Sequence, residues 1–115
     1  MRRHKDSQKE LCSRFIELID GEQLFLTADL KLAEVTLRLG TNRTYLLAML
    51  QNELHMTFSE FVNRRRIAYA CQLRSEHPEL TTREIAYASG YSTFSTFYRN
   101  HHKYIKPVLH EATVR

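Results

Sequence analysis

The sequence predicts an all-α fold, and three observations support this prediction. Apolar residues recur at helical spacing along most of the 115 residues, as at Leu11, Phe15, Ile16 and Ile19. Capping patterns and glycines separate these segments, and no strand-like alternation runs longer than a few residues. Only three glycines and two prolines are present, which leaves little material for the turns of a β-rich fold.

Length and composition limit the chain to one modest structural body. A chain of 115 residues with 43% hydrophobic content can bury a single core. No stretch approaches the roughly 20 consecutive apolar residues of a membrane span, so we expect no membrane contact by this segment. No secretory signal is visible, and Cys12 and Cys71 lack CxxC spacing. These features favour a reduced, cytoplasmic protein over a disulfide scaffold.

The first half of the chain divides into three predicted helices. Gly21 is placed to end the first helix in a left-handed C-terminal cap. A second helix runs from about residue 32 to 39, where Gly40 stops it. Asn42 is the predicted N-cap of a third helix that continues through Leu54. The buried face of this third helix is expected to hold Tyr45, Leu46, Met49 and Leu50.

Two capping boxes open the next two helices. Thr57 and Glu60 form the first box, at the start of a long fourth helix that is expected to end near Ser75. Thr81 and Glu84 form the second box, which opens a short fifth helix.

The last part of the chain is predicted to contain two further helices. Gly90 closes the fifth helix, and Ser92 is the predicted cap of a sixth. This sixth helix is expected to end near Tyr104, because Pro107 interrupts the pattern. A short helix over residues 108–114 brings the expected total to about seven.

Two segments resemble each other at an offset of 50 residues, which becomes 51 beyond the caps. Each copy contains a short helix, a glycine-containing turn and a second helix, which is the outline of a helix-turn-helix. The matched residues are Ala33-Glu34-Val35, Gly40, Asn42, Leu46 and Leu54 in the first copy, and Arg83-Glu84-Ile85, Gly90, Ser92, Phe97 and Ile105 in the second.

We therefore predict one domain over residues 1–115, built from two helix-turn-helix subdomains and a long linker helix. Residues 8–56 form the first subdomain, residues 57–76 the linker helix and residues 77–112 the second subdomain. Two such motifs on one spacer can place their second helices about one turn of DNA apart, roughly 34 Å, in successive major grooves. Residues 36–115 carry eleven basic against six acidic side chains, a net +5, which suits a polyanionic partner. Double-stranded DNA is the predicted partner.

Three stretches resemble the DNA-binding domain of AraC/XylS-family transcription regulators, and the resemblance covers about residues 8–112. The stretches are LKLAEVTLRLGTNRTYLLAML, MTFSEFVNRRRIAYACQL and LTTREIAYASGYSTFSTFYRN. The pattern xxIAxxxGYSxxSxFYR within the third stretch is the most specific of these features. The resemblance implies seven helices, operator binding near promoters and activation through contact with RNA polymerase. We expect a sensory region, and any oligomerisation, to lie in a part of the protein outside this segment.

The candidate DNA-binding residues of the first subdomain lie on the outer face of its second helix. The resemblance places base-reading positions on Thr44, Leu47 and Ala48, which offer one hydrogen bond and apolar contact with thymine methyl groups. Arg43 is expected to contact phosphate, and Gln51 lies on the same face. The alternative interpretation of this face is a merely solvated surface.

The candidate DNA-binding residues of the second subdomain are Phe94, Ser95, Thr96 and Arg99. Arg99 is the best candidate for a base contact, because a guanidinium group can bond guanine in bidentate fashion. The alternative roles of Arg99 are a phosphate clamp or a partner for a nearby carboxylate. Phe94 is expected to pack either on the DNA or over the turn of its own motif.

Two other groups of side chains raise alternative functions. Consecutive residues on a helix point about 100° apart, so residues 64–66, all arginine, cannot face one partner together. The resemblance implies that Arg64 and Arg66 form intramolecular ion pairs. No carboxylate or cysteine lies at ligand-like spacing from His101, His102 and His110, so we expect no metal site and no cofactor. His101 is expected to be partly buried.

The leading hypothesis is a sequence-specific DNA-binding domain of a transcription regulator that acts as an activator. The alternative is a helical protein-interaction module that has lost DNA readout, which the weak reading face of the first subdomain keeps open. No Gly-rich phosphate loop, nucleophile elbow or HExxH motif is present, so we expect no catalytic residues and no enzyme.

Overall fold

The computed structural model describes the backbone of residues 2–113 and the side chains of residues 8–112. Within that range all regular secondary structure is helical, with no β-strand, and the predicted all-α fold is confirmed. The six α-helices of this range are α1 (Arg2–Ile16), α2 (Leu32–Leu39), α3 (Arg43–Met49), α4 (Phe58–Glu76), α5 (Thr82–Ala88) and α6 (Phe94–Thr113). No helix of the described part is long and apolar enough to cross a membrane.

The chain divides into two compact units. The N-terminal unit comprises the described residues up to Leu24 together with Asp29–Phe61, and the C-terminal unit comprises Phe25–Ala28 together with the described residues from Val62 onward. Helix α4 therefore contributes its first turn to the N-terminal unit and its remainder to the C-terminal unit. Each unit contains one helix-turn-helix motif, formed by α2 and α3 in the first and by α5 and α6 in the second.

The core of the N-terminal unit is built around Phe15 of α1. Its ring contacts Phe61 at a centroid distance of 4.9 Å and Phe58 at 6.3 Å. Helix α1 also contacts both α2 and α3, whose inward side chains are fully or almost fully buried. The other buried apolar residues of this unit are Ile19, Val35, Leu39, Leu46, Met49 and Leu50. The buried faces of α2 and α3 consist of the residues that recur at helical spacing in the sequence.

The core of the C-terminal unit joins α4, α5 and α6. Ile67 and Ala70 of α4 pack with Ile85 and Ala86 of α5. The side chains that complete this cluster are Tyr91 of the turn and Phe97, Tyr104 and Val108 of α6. Burial of this apolar surface fixes α6 against its own unit over most of its length.

Helix α6 corrects two predictions about the end of the chain. It runs through Pro107 to Thr113, so the helix does not end near Tyr104 and no separate seventh helix forms within residues 2–113. Proline removes one helical hydrogen bond, but Tyr104 and Val108 are buried on either side of it, and this packing offsets the loss. Val114, the last residue of the expected seventh helix, lies outside the described residues.

Two helices of the N-terminal unit end in π-helical turns that the sequence did not indicate. One turn covers Glu17–Gly21 after α1, and the other covers Leu50–Leu54 after α3. The predicted left-handed cap at Gly21 is wrong, because the positive φ of 52° falls on Gln23. A π turn contains more residues than an α turn and so moves the left-handed position further along the chain. The expected continuation of the third helix through Leu54 is confirmed, with its last turn π-helical.

The long helix α4 begins as its capping pattern predicts. The hydroxyl of Thr57 accepts a 3.0 Å hydrogen bond from the backbone N–H of Glu60. The helix ends at Glu76, one residue later than expected and two residues before Pro78. The two free cysteines lie on different helices, Cys12 on α1 and Cys71 on α4. Burial is the largest cause that raises the pKa of both thiols, which makes them poor nucleophiles at neutral pH.

Candidate nucleic-acid interface

The first helix-turn-helix motif contains a tight turn between α2 and α3. Gly40 adopts the left-handed conformation, with a φ of 67°, and ends α2 as predicted. The N–H of Thr41 bonds the carbonyl oxygen of Thr36 at 3.0 Å, which satisfies one of the last carbonyl groups of α2. Asn42 then caps α3, since its side-chain oxygen accepts a 2.9 Å hydrogen bond from the N–H of Tyr45. The predicted cap at Asn42 is confirmed.

The candidate residues of the first motif share one face of α3 and its π-helical extension. Arg43, Thr44 and Gln51 are exposed, Leu47 is 37% exposed, and Ala48 is half-buried. Leu46, Met49 and Leu50 point into the core. The structure therefore brings the five candidate side chains together on the outward face, where apolar and small side chains occupy the centre.

Tyr45 corrects the predicted buried face of this helix. Its side chain is 59% exposed, whereas the other three residues expected to be buried are at most 1% exposed. Tyr45 lies in the first turn, at the edge of the buried arc, and its side chain lines an open cavity of about 310 Å³ with Arg14 and Thr41. The core is filled without it, and the phenol hydroxyl stays in water.

The second motif contains a turn that is one residue longer between its glycine and its cap. Gly90 has a φ of 98°, and the cap of α6 is Thr93, whose hydroxyl accepts a 3.2 Å hydrogen bond from the N–H of Thr96. The predicted cap at Ser92 is therefore wrong. The repeat offset changes from 50 to 51 within the turn, so Thr93 corresponds to Asn42. Thr81 and Glu84 form the predicted capping box of α5.

The four candidate residues of the second motif separate into two pairs. Ser95 and Arg99 are exposed on the outward face of α6. Thr96 is half-buried, and its hydroxyl accepts a 2.9 Å hydrogen bond from the hydroxyl of Thr93. Phe94 is half-buried against the core of the C-terminal unit. The structure thus presents Ser95 and Arg99 to an external partner and turns the other two towards the protein.

The ring of Phe94 is enclosed by three neighbouring side chains. The guanidinium carbon of Arg83 lies 4.6 Å from its centroid, a distance typical of a cation–π contact. The ring centroids of Phe97 and Tyr98 lie 6.1 Å and 6.3 Å away. Of the two roles left open for Phe94, packing over the turn is the one that these contacts favour.

The outward face of α6 is more basic than that of α3. From Phe94 to His110 the helix carries Arg99, Lys103 and Lys106 and no acidic residue. The only acid of α6, Glu111, lies 3.8 Å from Arg64 in an ion pair. His102 and Lys106 are exposed and share this face with Ser95 and Arg99 by their helical spacing, although sequence reasoning did not single them out.

Arg64 and Arg66 both take structural roles, but by different contacts. Arg64 forms the ion pair with Glu111, as the resemblance implied. Arg66 is only 8% exposed and bonds backbone carbonyls instead: its Nε donates to Phe25 at 2.6 Å and its Nη2 to Thr27 at 2.8 Å. The predicted ion pair of Arg66 is thus replaced by bonds to carbonyls, because segment 25–27, in which Phe25 is buried, presents backbone acceptors beside the buried guanidinium group.

Tyr91 is the aromatic partner of Arg66. The guanidinium carbon of Arg66 lies 5.1 Å from the Tyr91 ring centroid, and the hydroxyl of Tyr91 donates a 2.6 Å hydrogen bond to the side-chain oxygen of Asn63. Burial lowers the pKa of Arg66, an effect that Tyr91 opposes, and burial raises the pKa of Tyr91. Tyr91 therefore stays neutral, and the Arg66 cluster serves packing.

The histidines of the second motif were the residues that raised the question of a metal site. In the part of the chain that the structure describes, no three histidine, cysteine or acidic side chains lie where they could hold a metal ion together. His101 is half-buried, as expected, and its ring centroid lies 5.5 Å from that of Phe97. This histidine therefore packs within the C-terminal unit.

The fold and the two outward helix faces define an all-α protein with two helix-turn-helix motifs. A scan of protein-family models matches residues 35–106, more than half of the chain, to a family described as a helix-turn-helix domain. The match begins within α2 and ends within α6, so it includes both turns. The chain belongs to this AraC-type helix-turn-helix family. Neither a search of curated proteins nor a search of solved structures returned a match.

Membership of this family gives the chain its general class. It is a double-stranded DNA-binding domain of the kind found in transcription regulators, a class that is typically not enzymatic.

Proposed function

We propose that the chain binds double-stranded DNA with sequence specificity as one domain, using α3 and α6 as recognition helices in two successive major grooves. The observation that best supports this proposal is the outward pair Ser95 and Arg99 near the start of α6, directly after the glycine turn. The first residues of a recognition helix are those that reach base edges in a helix-turn-helix complex.

Arg99 supplies the sequence preference in this proposal. It is exposed, and within the described residues it has no hydrogen bond or ion pair that would hold its guanidinium group away from DNA. Its five donors can bond the O6 and N7 atoms of a guanine, which discriminates by about 1–3 kcal/mol against other bases. Ser95 adds a short hydroxyl on the same face. Phe94 and Thr96 act by positioning the start of α6.

The first motif adds affinity more than specificity. Arg43 is exposed at the first position of α3, where a side chain can reach phosphate, and Gln51 lies further along the same face. Thr44 can make one hydrogen bond, while Leu47 and Ala48 can contact thymine methyl groups. We propose that this face contributes a grip on the backbone and a weak preference for A·T pairs.

The regulatory role proposed for the domain is activation through contact with RNA polymerase in the cytoplasm. The family supports this role, in which a bound domain beside a promoter recruits the polymerase. A reporter gene with the selected operator upstream of a weak promoter tests it. Higher expression with the domain than without it supports activation, whereas lower expression indicates repression.

The DNA-binding proposal is tested by selecting bound duplexes from a random-sequence pool, followed by footprinting. We expect an enriched motif whose strongest position is a G·C pair, and protection of two successive major grooves on one face of the DNA. Protection of a single major groove would show that only one of the two motifs binds DNA. Recovery of no enriched sequence would contradict specific readout.

One observation favours a second candidate, a protein-interaction module. Leu37 of α2 is 81% exposed and Leu47 of α3 is 37% exposed, and both side chains are apolar. The salt dependence separates the candidates, because DNA binding releases counterions and weakens steeply as salt rises. Binding to duplex DNA that is insensitive to salt, or absent at low salt, would favour the interaction module.

A further inference from the structure

The continuous helix α6 extends the outward face of the second motif beyond the expected helix end. The helix comprises 20 residues and passes through Pro107 without a break. Tyr104 and Val108 are each 7% exposed, so the segment on both sides of the proline packs into the core of the C-terminal unit. Packing therefore fixes the direction of Lys106 relative to Arg99.

Four side chains form one row along the outward face of α6. Ser95, Arg99, His102 and Lys106 are separated by four, three and four residues, a spacing that returns to the same side of an α-helix. All four are exposed, and the buried residues Phe97, Tyr104 and Val108 lie on the opposite side. We call Ser95, Arg99, His102 and Lys106 the outward row.

The length of the outward row exceeds the width of the groove that its first residues enter. Eleven residues separate Ser95 from Lys106, which corresponds to about 16 Å along the helix axis. The major groove of B-DNA is about 12 Å wide. A helix that enters the groove with its first turn at the base edges and its axis across the groove carries Lys106 to the sugar–phosphate backbone at the rim.

We propose that Lys106 contacts a DNA phosphate and that His102 adds a hydrogen bond to the same backbone. This inference rests on the proposed function of α6 as a recognition helix. Within the described residues Lys106 has no ion pair, and no acidic residue lies on the outward row. The contact gives affinity without sequence preference, because phosphates are the same at every base pair.

The salt dependence of DNA binding tests this contact. Fluorescence anisotropy is measured for the full 115-residue chain on the selected operator duplex and on an unrelated duplex, between about 50 and 200 mM salt. Each phosphate contact contributes a slope of about 0.9 to the dependence of log K on log salt. Loss of one contact in Lys106→Gln should therefore lower the slope by about 0.9 on both duplexes. Across this salt range the wild type should lose about 3.5-fold more affinity than the variant.

Lys9→Gln is the control, on a helix outside both helix-turn-helix motifs. Lys9 lies on α1 and is exposed, and its ammonium group lies 3.8 Å from a carboxylate oxygen of Glu53 in the same unit. Lys9→Gln removes the same charge, so a slope change as large as that of Lys106→Gln would overturn the proposal. Lys106→Arg keeps the charge and should keep the wild-type slope, and the helical circular dichroism of all variants checks their folding.

The experiment distinguishes this inference from the proposed function. Wild-type binding with an unchanged slope in Lys106→Gln overturns the Lys106 contact alone. Absence of duplex binding by the wild type at low salt overturns both proposals. An effect of Lys106→Gln confined to the operator would also overturn the inference, because it would indicate a base contact.

Discussion

The glycines of the two turns meet different surroundings although both have a positive φ. Nothing lies within 4 Å of a Cβ built on Gly40, whose φ is 67°. A Cβ built on Gly90, whose φ is 98°, would lie 2.8 Å from the carbonyl oxygen of Phe25 and 3.1 Å from the Nε of Arg66. The first turn thus needs glycine for its backbone conformation alone, whereas the second needs it also for space.

The arginines that support the two turns also differ in how deeply they are buried and in how many backbone carbonyls they bond. Arg14 of α1 is exposed and donates one 2.7 Å hydrogen bond to the carbonyl oxygen of Leu39. Arg66 of α4 is buried and bonds two carbonyl groups of the segment 25–27. Two motifs with the same helix-turn-helix plan therefore depend on tertiary contacts to very different degrees.

The largest expected effect is on the free energy of unfolding, and it should differ between alanine substitutions at the two glycines. Gly90→Ala should lower the free energy of unfolding by about 4 kcal/mol, because it combines left-handed strain with a clash against backbone. Gly40→Ala carries only the conformational strain and should lower it by about 1.5 kcal/mol. Urea unfolding followed by circular dichroism measures both values. Equal losses for the two variants would show that the enclosure of Gly90 does not matter.

Removal of the buried arginine should have the next largest effect. Arg66→Ala leaves the carbonyl oxygens of Phe25 and Thr27 without their donor and should lower the free energy of unfolding by about 3 kcal/mol. Arg14→Ala removes one bond at an exposed site and should lower it by about 1 kcal/mol. Arg66→Lys, with a smaller donor group, should fall between Arg66→Ala and the wild type in the same urea titration. A loss for Arg14→Ala that matches that of Arg66→Ala would contradict the comparison.

The DNA-facing arginines should differ in the kind of effect they have. Arg99→Ala should weaken operator binding by about 1–3 kcal/mol, or roughly 5- to 150-fold, and relax the preference at one base pair. Arg43→Ala should weaken binding to operator and unrelated duplexes by the same smaller factor, since a phosphate contact carries no sequence information. Gel shifts on operators with single-base changes measure both patterns. Unchanged specificity in Arg99→Ala would show that this residue does not read a base.

Local signals predicted the helices and several caps from the sequence. Gly40 and Asn42 specify the first turn through a left-handed φ and a side-chain bond to the nearby backbone, and both depend on few neighbours. The buried positions Leu46, Met49 and Leu50 followed from helical periodicity for the same reason. Placement of Arg43, Thr44, Leu47 and Gln51 on an outward face also follows from this periodicity.

The predictions that failed depend on packing or on an irregular turn. Pro107 stays within α6 because the core holds the helix on both sides of it, and no local pattern indicates this burial. The π turn at Glu17–Gly21 moved the left-handed residue past Gly21 to Gln23. The role of Phe94 was left open by the sequence, because its contacts with Arg83 and Phe97 are formed only in the folded unit.

The smallest expected effect concerns the caps of α2 and α5. Thr81 caps α5 with a full capping box, whereas Lys31, at the N-cap of α2, forms no side-chain cap bond. Lys31 already has the extended backbone of an N-cap, with φ −114° and ψ 145°, so Lys31→Asp can supply an acceptor without a change in conformation. It also replaces a positive with a negative charge at the positive end of the helix dipole. Lys31→Asp should therefore raise the free energy of unfolding by about 1 kcal/mol in urea titration, while Thr81→Ala lowers it by a similar amount. Lys31→Ser supplies the cap without the negative charge and should give a smaller gain, and no gain in either Lys31 variant would show that α2 does not need a cap.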